Sequence, residues 1–233
     1  QTYKMADVIM GESKEYANVA ASYNRKVPVY PLYLGVDKHN VESSILQSKL
    51  TLNKPESEIW IGYGGSLGTS YDFETLIKGV ATLNGIYQYK LFLIGDGVRR
   101  IEIEKFINQY SVNAQITGFI EYSDLLKYLS YCDIAINIFR DNTKVVHSYK
   151  FNDYVATNCF ILNSLQGETA DMIDKYQIGL NFDFKENTLD KVLLHSIEHW
   201  NLYKDWKKNN VRLVNEILDK EIIYSQIANI LSS

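Results

Sequence analysis

Residues 147–154 read HSYKFNDY, and Lys150 and Asp153 are the two side chains in it that carry charge. An apolar, strand-like run, DIAINIF (133–139), precedes them, and a helical pattern, SYKFNDYVAT (148–157), contains them. Three residues apart, the two share a face of that helix. A cation in the first turn of a helix opposes the helix dipole. Lys150 is therefore either a solvated surface lysine or a lysine compensated by a bound anion. In GYGGSLGTS (62–70), Gly62, Gly64, Gly65 and Gly68 follow a strand pattern and precede a helical one. Glycine lets a backbone approach a phosphate, and successive N–H groups can cradle the anion. The alternative is a tight strand-to-helix turn. No Lys completes a GxxxxGK[ST] loop, and the spacing misses GxGxxG, which argues against a dinucleotide dehydrogenase.

Other motifs carry less. IGDGVRR (94–100) is a second glycine-rich strand end, equally a turn needing positive φ; Arg99 there reads as a solvated helix-start residue or as a charge for the cleft. HSIEH (195–199) matches a zinc-protease helix pattern, but it sits in a polar helix after the α/β core and reads as surface. No Ser-His-Asp arrangement declares itself, and Glu102 and Glu104 read as helix surface.

The elements that must position these groups alternate strand and helix from about residue 57. Strand patterns fall at 58–65, 89–97, 113–119, 133–139, 159–164 and 178–182. Helical patterns fall at 71–83, 99–110, 123–132 (Ser123 as N-cap), 148–157 and 167–177. Continuous apolar strands between helices imply an α/β fold: a doubly wound, Rossmann-like parallel sheet of about six strands, covered on both faces. Ligands of such sheets bind beyond the carboxyl ends of the strands, here 64–69, 95–98, 118–121, 140–150 and 164–169. Residues 1–55 read as the end of a preceding domain and an interdomain segment, with a strand in ADVIMGES (6–13) and a helix over 41–50. The Rossmann-like domain is placed at 56–187 and C-terminal helices at 188–233.

The 233 residues are 46% hydrophobic and 22% charged, with net charge −4. That balance is globular and speaks against a nucleic-acid partner. Cys132 and Cys159 stand alone in apolar settings and read as buried small hydrophobes. No apolar run reaches the ~18 residues needed to span a bilayer.

Taken in order, YGGSLGTSYDFETLIKGV, LFLIGDGVRR, ITGFIEYSDLLKYLSYCDIAINIF, SYKFNDYVATNCFILNS and GETADMI…IGLNF resemble the C-terminal domain of a GT-B fold retaining glycosyltransferase. The likeness is to the family 4 group of bacterial polysaccharide biosynthesis and covers roughly residues 55–185. It implies that Lys150 matches the Lys of a Ser-Lys-(apolar)-x-(acid)-Tyr pattern, contacts a donor diphosphate and acts in catalysis. Asp153 would match the second acid of a Glu-x7-Glu motif and accept ribose hydroxyls. Gly65, Ser66, Leu67 and Gly68 would form a Gly-x-Leu-Gly phosphate loop beside Gly95. Gly118, Phe119 and Ile120 would line the base, and Gly167, Glu168 and Thr169 would lie near the sugar or diphosphate.

The family pattern is broken in places. Its first Glu falls at Val145, and the Arg and Lys that many relatives carry in the first loop fall at Ser66 and Tyr71. His147 or Lys144 would then supply the missing charge. The resemblance implies a nucleotide-sugar donor, no metal cofactor, and a saccharide or lipid-linked acceptor held mainly by an N-terminal half. It also implies a cytoplasmic protein, peripheral at the inner membrane face, inactive as this piece alone. The alternatives are a non-catalytic nucleotide-sugar-binding module, which Val145 favours, and a nucleotide-sugar epimerase of the same fold. Trp200, Tyr203 and Trp206 either cross back toward a preceding domain or pack on this one.

Overall fold

The computed structural model describes residues 2–23, 26–141 and 143–232. Asn142, inside the 140–150 strand-end segment, lies outside them. Short apolar runs form a first unit: β1 (Ile9–Gly11), α1 (Lys14–Tyr23) and β2 (Val29–Pro31), whose strands pair in parallel. α2 (Lys38–Gln47) follows, capped by Asp37, whose carboxylate accepts from the Asn40 N–H at 2.9 Å. This helix begins before the 41–50 span expected from its apolar spacing, because the cap sits ahead of a polar Lys-His-Asn turn that carries no periodicity.

The main sheet comprises β3 (Ile59–Gly64), β4 (Tyr89–Ile94), β5 (Ala114–Ile116), β6 (Ile134–Asn137), β7 (Phe160–Asn163) and β8 (Gly179–Asn181). Between them run α3 (Phe73–Ala81), α4 (Arg100–Gln109), α5 (Tyr122–Tyr131), α6 (Tyr149–Ala156) and α7 (Glu168–Tyr176). α8 (Leu189–Glu198), α9 (Trp206–Leu213) and α10 (Lys220–Ser232) close the chain, with a 3₁₀ turn at Trp200–Tyr203 and a π turn at Val214–Leu218. The strand order is β5-β4-β3-β6-β7-β8, every neighbouring pair parallel. Counted from β3, this is the doubly wound order with a switch point between β3 and β6.

Strand residues alternate between two cores. Trp60, Phe92, Ala135 and Ile161 meet α5, α6 and α7, whereas Ile61, Leu91, Leu93, Ile134, Ile136 and Leu162 meet α3 and α8. The central strands β3, β4, β6 and β7 are thus buried on both faces, which explains their largely apolar runs. Trp200, Tyr203 and Trp206 pack around Phe160, with centroids at 5.6, 4.7 and 6.1 Å. Of the two fates open to these aromatics, they take packing on this sheet. Cys132 and Cys159 are buried and free. No helix among the described residues is long and apolar enough to cross a membrane.

α5 corrects one cap. Its N-cap is Glu121, with no side-chain cap bond, so the helix starts ahead of Ser123.

Candidate functional site

The switch point opens a crevice for a local reason. β3 pairs with β4 along its whole length, but with β6 only at Ile61–Ile134 and Gly62–Ala135. Beyond that the Tyr154 hydroxyl sits between the strands, accepting from the Gly64 N–H at 3.0 Å and donating to the Ile136 carbonyl at 3.4 Å. Tyr154 comes from α6, one helical turn after Lys150, so the same face of α6 delivers Lys150 to the crevice.

Lys150 is 9% exposed and is not a solvated lysine. Its Nζ lies 3.0 Å from the Tyr63 hydroxyl and 3.5 Å from the centroid of the Tyr71 ring. The Tyr63 and Phe139 rings stand at 4.4 and 4.9 Å. Among the described residues no carboxylate pairs with it, and burial holds its pKa well below the ordinary lysine value. A buried ammonium without a counter-ion is costly unless a ligand supplies the anion. A methyl placed on Gly65 would touch the Lys150 Cε at 3.8 Å, so the first glycine loop and the lysine are adjacent.

The two glycine-rich strand ends pack backbone to backbone. Gly65 donates to the Ile94 carbonyl and Leu67 to that of Asp96, each at 2.9 Å, and the Arg99 N–H reaches the Leu67 carbonyl at 3.1 Å. Gly95, at φ +144°, leaves no room for a side chain: a Cβ would stand 2.1 Å from the Gly65 carbonyl oxygen. The Gly65 and Leu67 N–H groups are therefore spent inside the protein, and the Leu67 side chain is fully buried in the core. The N–H groups of Ser66 and Gly68 have no protein acceptor among the described residues.

Asp153 does not pair with Lys150. Its carboxylate accepts from the Tyr122 hydroxyl at 2.6 Å, and burial pushes its pKa up to about 6. It lines a cleft of about 320 Å³ with Tyr122, Tyr149, Asn152 and Val36. Tyr122 follows Gly118, Phe119 and Ile120, the last half-buried and Phe119 exposed, so α6 bridges the first loop and the loop after β5. One consequence is measurable. Between pH 3.8, the ordinary value, and about 6 the folded chain holds a proton that the unfolded chain has lost. Raising the pH through that window therefore removes stability. Asp153→Asn is expected to flatten this fall, read as the wild-type minus variant difference in urea midpoint from about pH 4 to 7. Parallel profiles would contradict it.

Glu168 points elsewhere: both its oxygens accept from the Lys14 N–H, at 3.0 and 2.9 Å, and one accepts from the Tyr33 hydroxyl at 2.9 Å. It ties α7 to the start of α1. Thr169 is fully buried and donates to the Val146 carbonyl at 2.7 Å, fixing the segment before α6. Gly167, at φ +71°, lines a cleft of about 330 Å³ with Arg140, Lys144 and Val145.

His147 is buried against Asn152 at 3.0 Å, and burial lowers its pKa. Since the Asn152 amide donates to the Leu34 carbonyl, its oxygen faces His147, whose Nε2 then carries the proton. Of the two residues considered for a missing charge, Lys144 is the exposed cation on the cleft and His147 is a neutral buried group. Arg99 is neither solvated nor aimed at the cleft: it pairs with Glu102 at 2.7 Å and donates to the Tyr71 carbonyl at 2.6 Å. His195 and His199 stack on the exposed side of α8.

Motif spacing does not single out Tyr63, Phe139 or Tyr122, and it names Tyr71 only as the place of an absent cation. The one sequence signal for Tyr63 was a tyrosine placed among strand-end glycines.

No protein-family model and no curated protein sequence matches the chain. Solved structures do match. Sucrose-phosphate synthase from Thermosynechococcus elongatus superposes with TM-score 0.76 at 16% identity, over 99% of this chain and 59% of that one. HepE of Anabaena in complex with UDP-glucose gives 0.77 at 16% identity, over 99% and 65%. A UDP-forming α,α-trehalose-phosphate synthase from Burkholderia vietnamiensis gives 0.71 at 12% identity, over 97% and 62%. The chain thus spans about three-fifths of the length of the structures it matches. Identities this low establish the fold alone: the chain has the fold of the C-terminal, Rossmann-like half of GT-B glycosyltransferases.

Proposed function

We propose that the chain is the donor-binding half of a nucleotide-sugar-dependent glycosyltransferase of the hexosyltransferase type. It serves transfer with retention to a glycan or lipid-linked acceptor in cell-surface polysaccharide synthesis, in the cytoplasm or at the inner membrane face. The acceptor is assigned to an N-terminal half. The observation that carries the reading is Lys150, a buried cation with no carboxylate partner among the described residues, at the carboxyl end of β3 beside the switch point. That is where ligands of this fold bind, and a diphosphate is the anion that fits it.

In this reading Lys150, the Ser66 and Gly68 N–H groups and the N-terminus of α6 hold the diphosphate. They stabilise the negative charge that builds on it as the bond to the sugar breaks. These groups supply the positive charge without a metal. Asp153 accepts the ribose hydroxyls, for which an acceptor-only carboxylate is suited. Gly118, Phe119 and Ile120 flank the base, and Gly167 borders the sugar, with Thr169 holding the segment before α6 from behind. HepE was solved with UDP and with UDP-glucose, which supports UDP as the first nucleotide to test. A second reading, a module that binds donor without turnover, is favoured by Val145, an apolar residue lining the cleft where the resembling family carries Glu.

Calorimetric titration with UDP, GDP and their common sugar conjugates, without added metal, tests the proposal. Saturable binding of one nucleoside diphosphate, weakened by Asp153→Ala, is expected. A folded chain that binds none, or binds equally well without Asp153, contradicts it. Slow hydrolysis of the bound donor by the assembled enzyme separates enzyme from module.

A further inference from the structure

We infer that Tyr63 and Tyr71 are positioning residues of the anion site: together they hold the Lys150 ammonium charged and aimed without neutralising it, and Tyr63 locks the first glycine loop to the same point. This rests on the reading of Lys150 as the diphosphate's counter-charge. A buried lysine is ordinarily kept by a carboxylate, but a carboxylate here would compete with the diphosphate. Aromatic faces attract a cation through the ring quadrupole and carry no net charge. The Tyr71 ring covers Nζ at 3.5 Å, and Tyr63 and Phe139 close two further sides.

The Tyr63 hydroxyl has a double role. It accepts from Lys150 at 3.0 Å and donates to the Ser66 carbonyl at 2.8 Å. One fully buried oxygen therefore fixes both the cation and the loop whose Ser66 and Gly68 N–H groups are unspent. Tyr71 is itself held. Its carbonyl accepts from Arg99, which is clamped on Glu102, and its ring meets Tyr63 and Phe139 edge-on at 5.7 and 5.0 Å. Tyr71 also stands where many members of the resembling family carry a cation. Here a ring secures one cation in place of adding a second.

The titratable groups around Lys150 are Tyr63 and Tyr71, with Tyr154 behind them and Asp153 on its own helix. Burial raises the pKa of all three tyrosines, so they stay neutral while Lys150 titrates. Removing either tyrosine's contact makes the ammonium harder to keep. The alkaline limb of diphosphate binding then moves to lower pH.

The test is UDP affinity from about pH 6.5 to 9 for the wild-type chain, Tyr63→Phe, Tyr71→Leu and Tyr71→Phe. Tyr63→Phe and Tyr71→Leu are expected to weaken binding about tenfold each and to shift the alkaline limb downward. Tyr71→Phe keeps the ring and is expected to behave as wild type. The limb is read within each variant, so partial unfolding does not mimic the shift, and Tyr63→Phe is nearly isosteric. Wild-type affinities and limbs in Tyr63→Phe and Tyr71→Leu, alongside lost binding in Lys150→Met, would overturn this inference and leave the donor-site reading standing. No UDP binding by the folded wild-type chain would overturn both.

Discussion

Lys150→Met is expected to abolish nucleoside-diphosphate binding while raising the stability of the fold. The two effects have one cause. The ammonium is buried, has no carboxylate partner among the described residues, and is offset only by aromatic faces and one hydroxyl. Charge-assisted hydrogen bonds contribute about 1.5–3 kcal/mol each, so losing those to a diphosphate weakens binding about a hundredfold or more. In the absence of ligand, a methionine of similar volume relieves the uncompensated charge. The aromatic attraction it forfeits is about 1–2 kcal/mol, smaller than the several kcal/mol that desolvating an ion costs.

A net gain of about 1 kcal/mol is expected at neutral pH, read as a higher urea midpoint with an unchanged slope. The pH dependence has a definite sign. With its folded pKa depressed, Lys150 binds a proton in the unfolded chain that it lacks in the folded one, between the lowered value and about 10.4. Wild-type stability therefore gains from this residue as pH rises through that window, and Lys150→Met loses that dependence. A variant that binds UDP normally, or that is markedly less stable, would mean the lysine is a packing residue.

Gly95→Ala is the second large effect, and it acts through the backbone. The new Cβ would stand 2.1 Å from the Gly65 carbonyl oxygen and 3.0 Å from its carbon, and φ at +144° disfavours any L side chain. Neither neighbour is the flexible end of a side chain, so the two strand-end loops must separate. That breaks the Gly65–Ile94 and Leu67–Asp96 hydrogen bonds and lifts the first loop away from Lys150. A loss of about 3 kcal/mol or more in stability is expected, with UDP binding lost in whatever fraction remains folded. Gly85→Ala is the control. It too has positive φ, at +74°, but a Cβ there meets nothing within 4 Å, so only the milder backbone strain is expected. Equal effects at the two positions would show that the Gly65–Gly95 contact carries no special weight.

How far the sequence discloses this arrangement depends on whether the relevant physics is local. The four central strands are largely apolar runs between helical patterns, so the doubly wound sheet is legible without the structure, while the short edge strands β5 and β8 show through their place in the strand–helix alternation. Lys150 and Asp153 announce themselves because a lysine at a helix start is locally unfavourable. The helix at Lys38–Gln47 and the start at Tyr122 are displaced from the sequence reading, because their boundaries depend on caps and on packing beyond the repeat.

What surrounds Lys150 is not legible, since Tyr63 and Phe139 lie at strand ends distant in sequence, and only the switch-point geometry brings them to one ammonium. The same holds for Glu168. Nothing in GETADMI says that its carboxylate turns to the Lys14 N–H, 154 residues away. The glycines of the two loops look like phosphate-loop glycines, and in part they serve the packing of one loop on the other.

The central claim is that the diphosphate supplies the negative charge that Lys150 lacks. The most direct measurement is the number of protons taken up per UDP bound, from calorimetric enthalpies in buffers of different ionisation heat. Above about pH 8 the phosphates of UDP are fully ionised and take up none, so the uptake is followed from there as the pH rises through the titration of Lys150. Net uptake in the wild-type chain, absent in any residual binding by Lys150→Met and larger in Tyr71→Leu, whose free lysine holds its proton less well, is the predicted result. UDP bound tightly with no proton uptake, or with equal uptake in Lys150→Met, would contradict it.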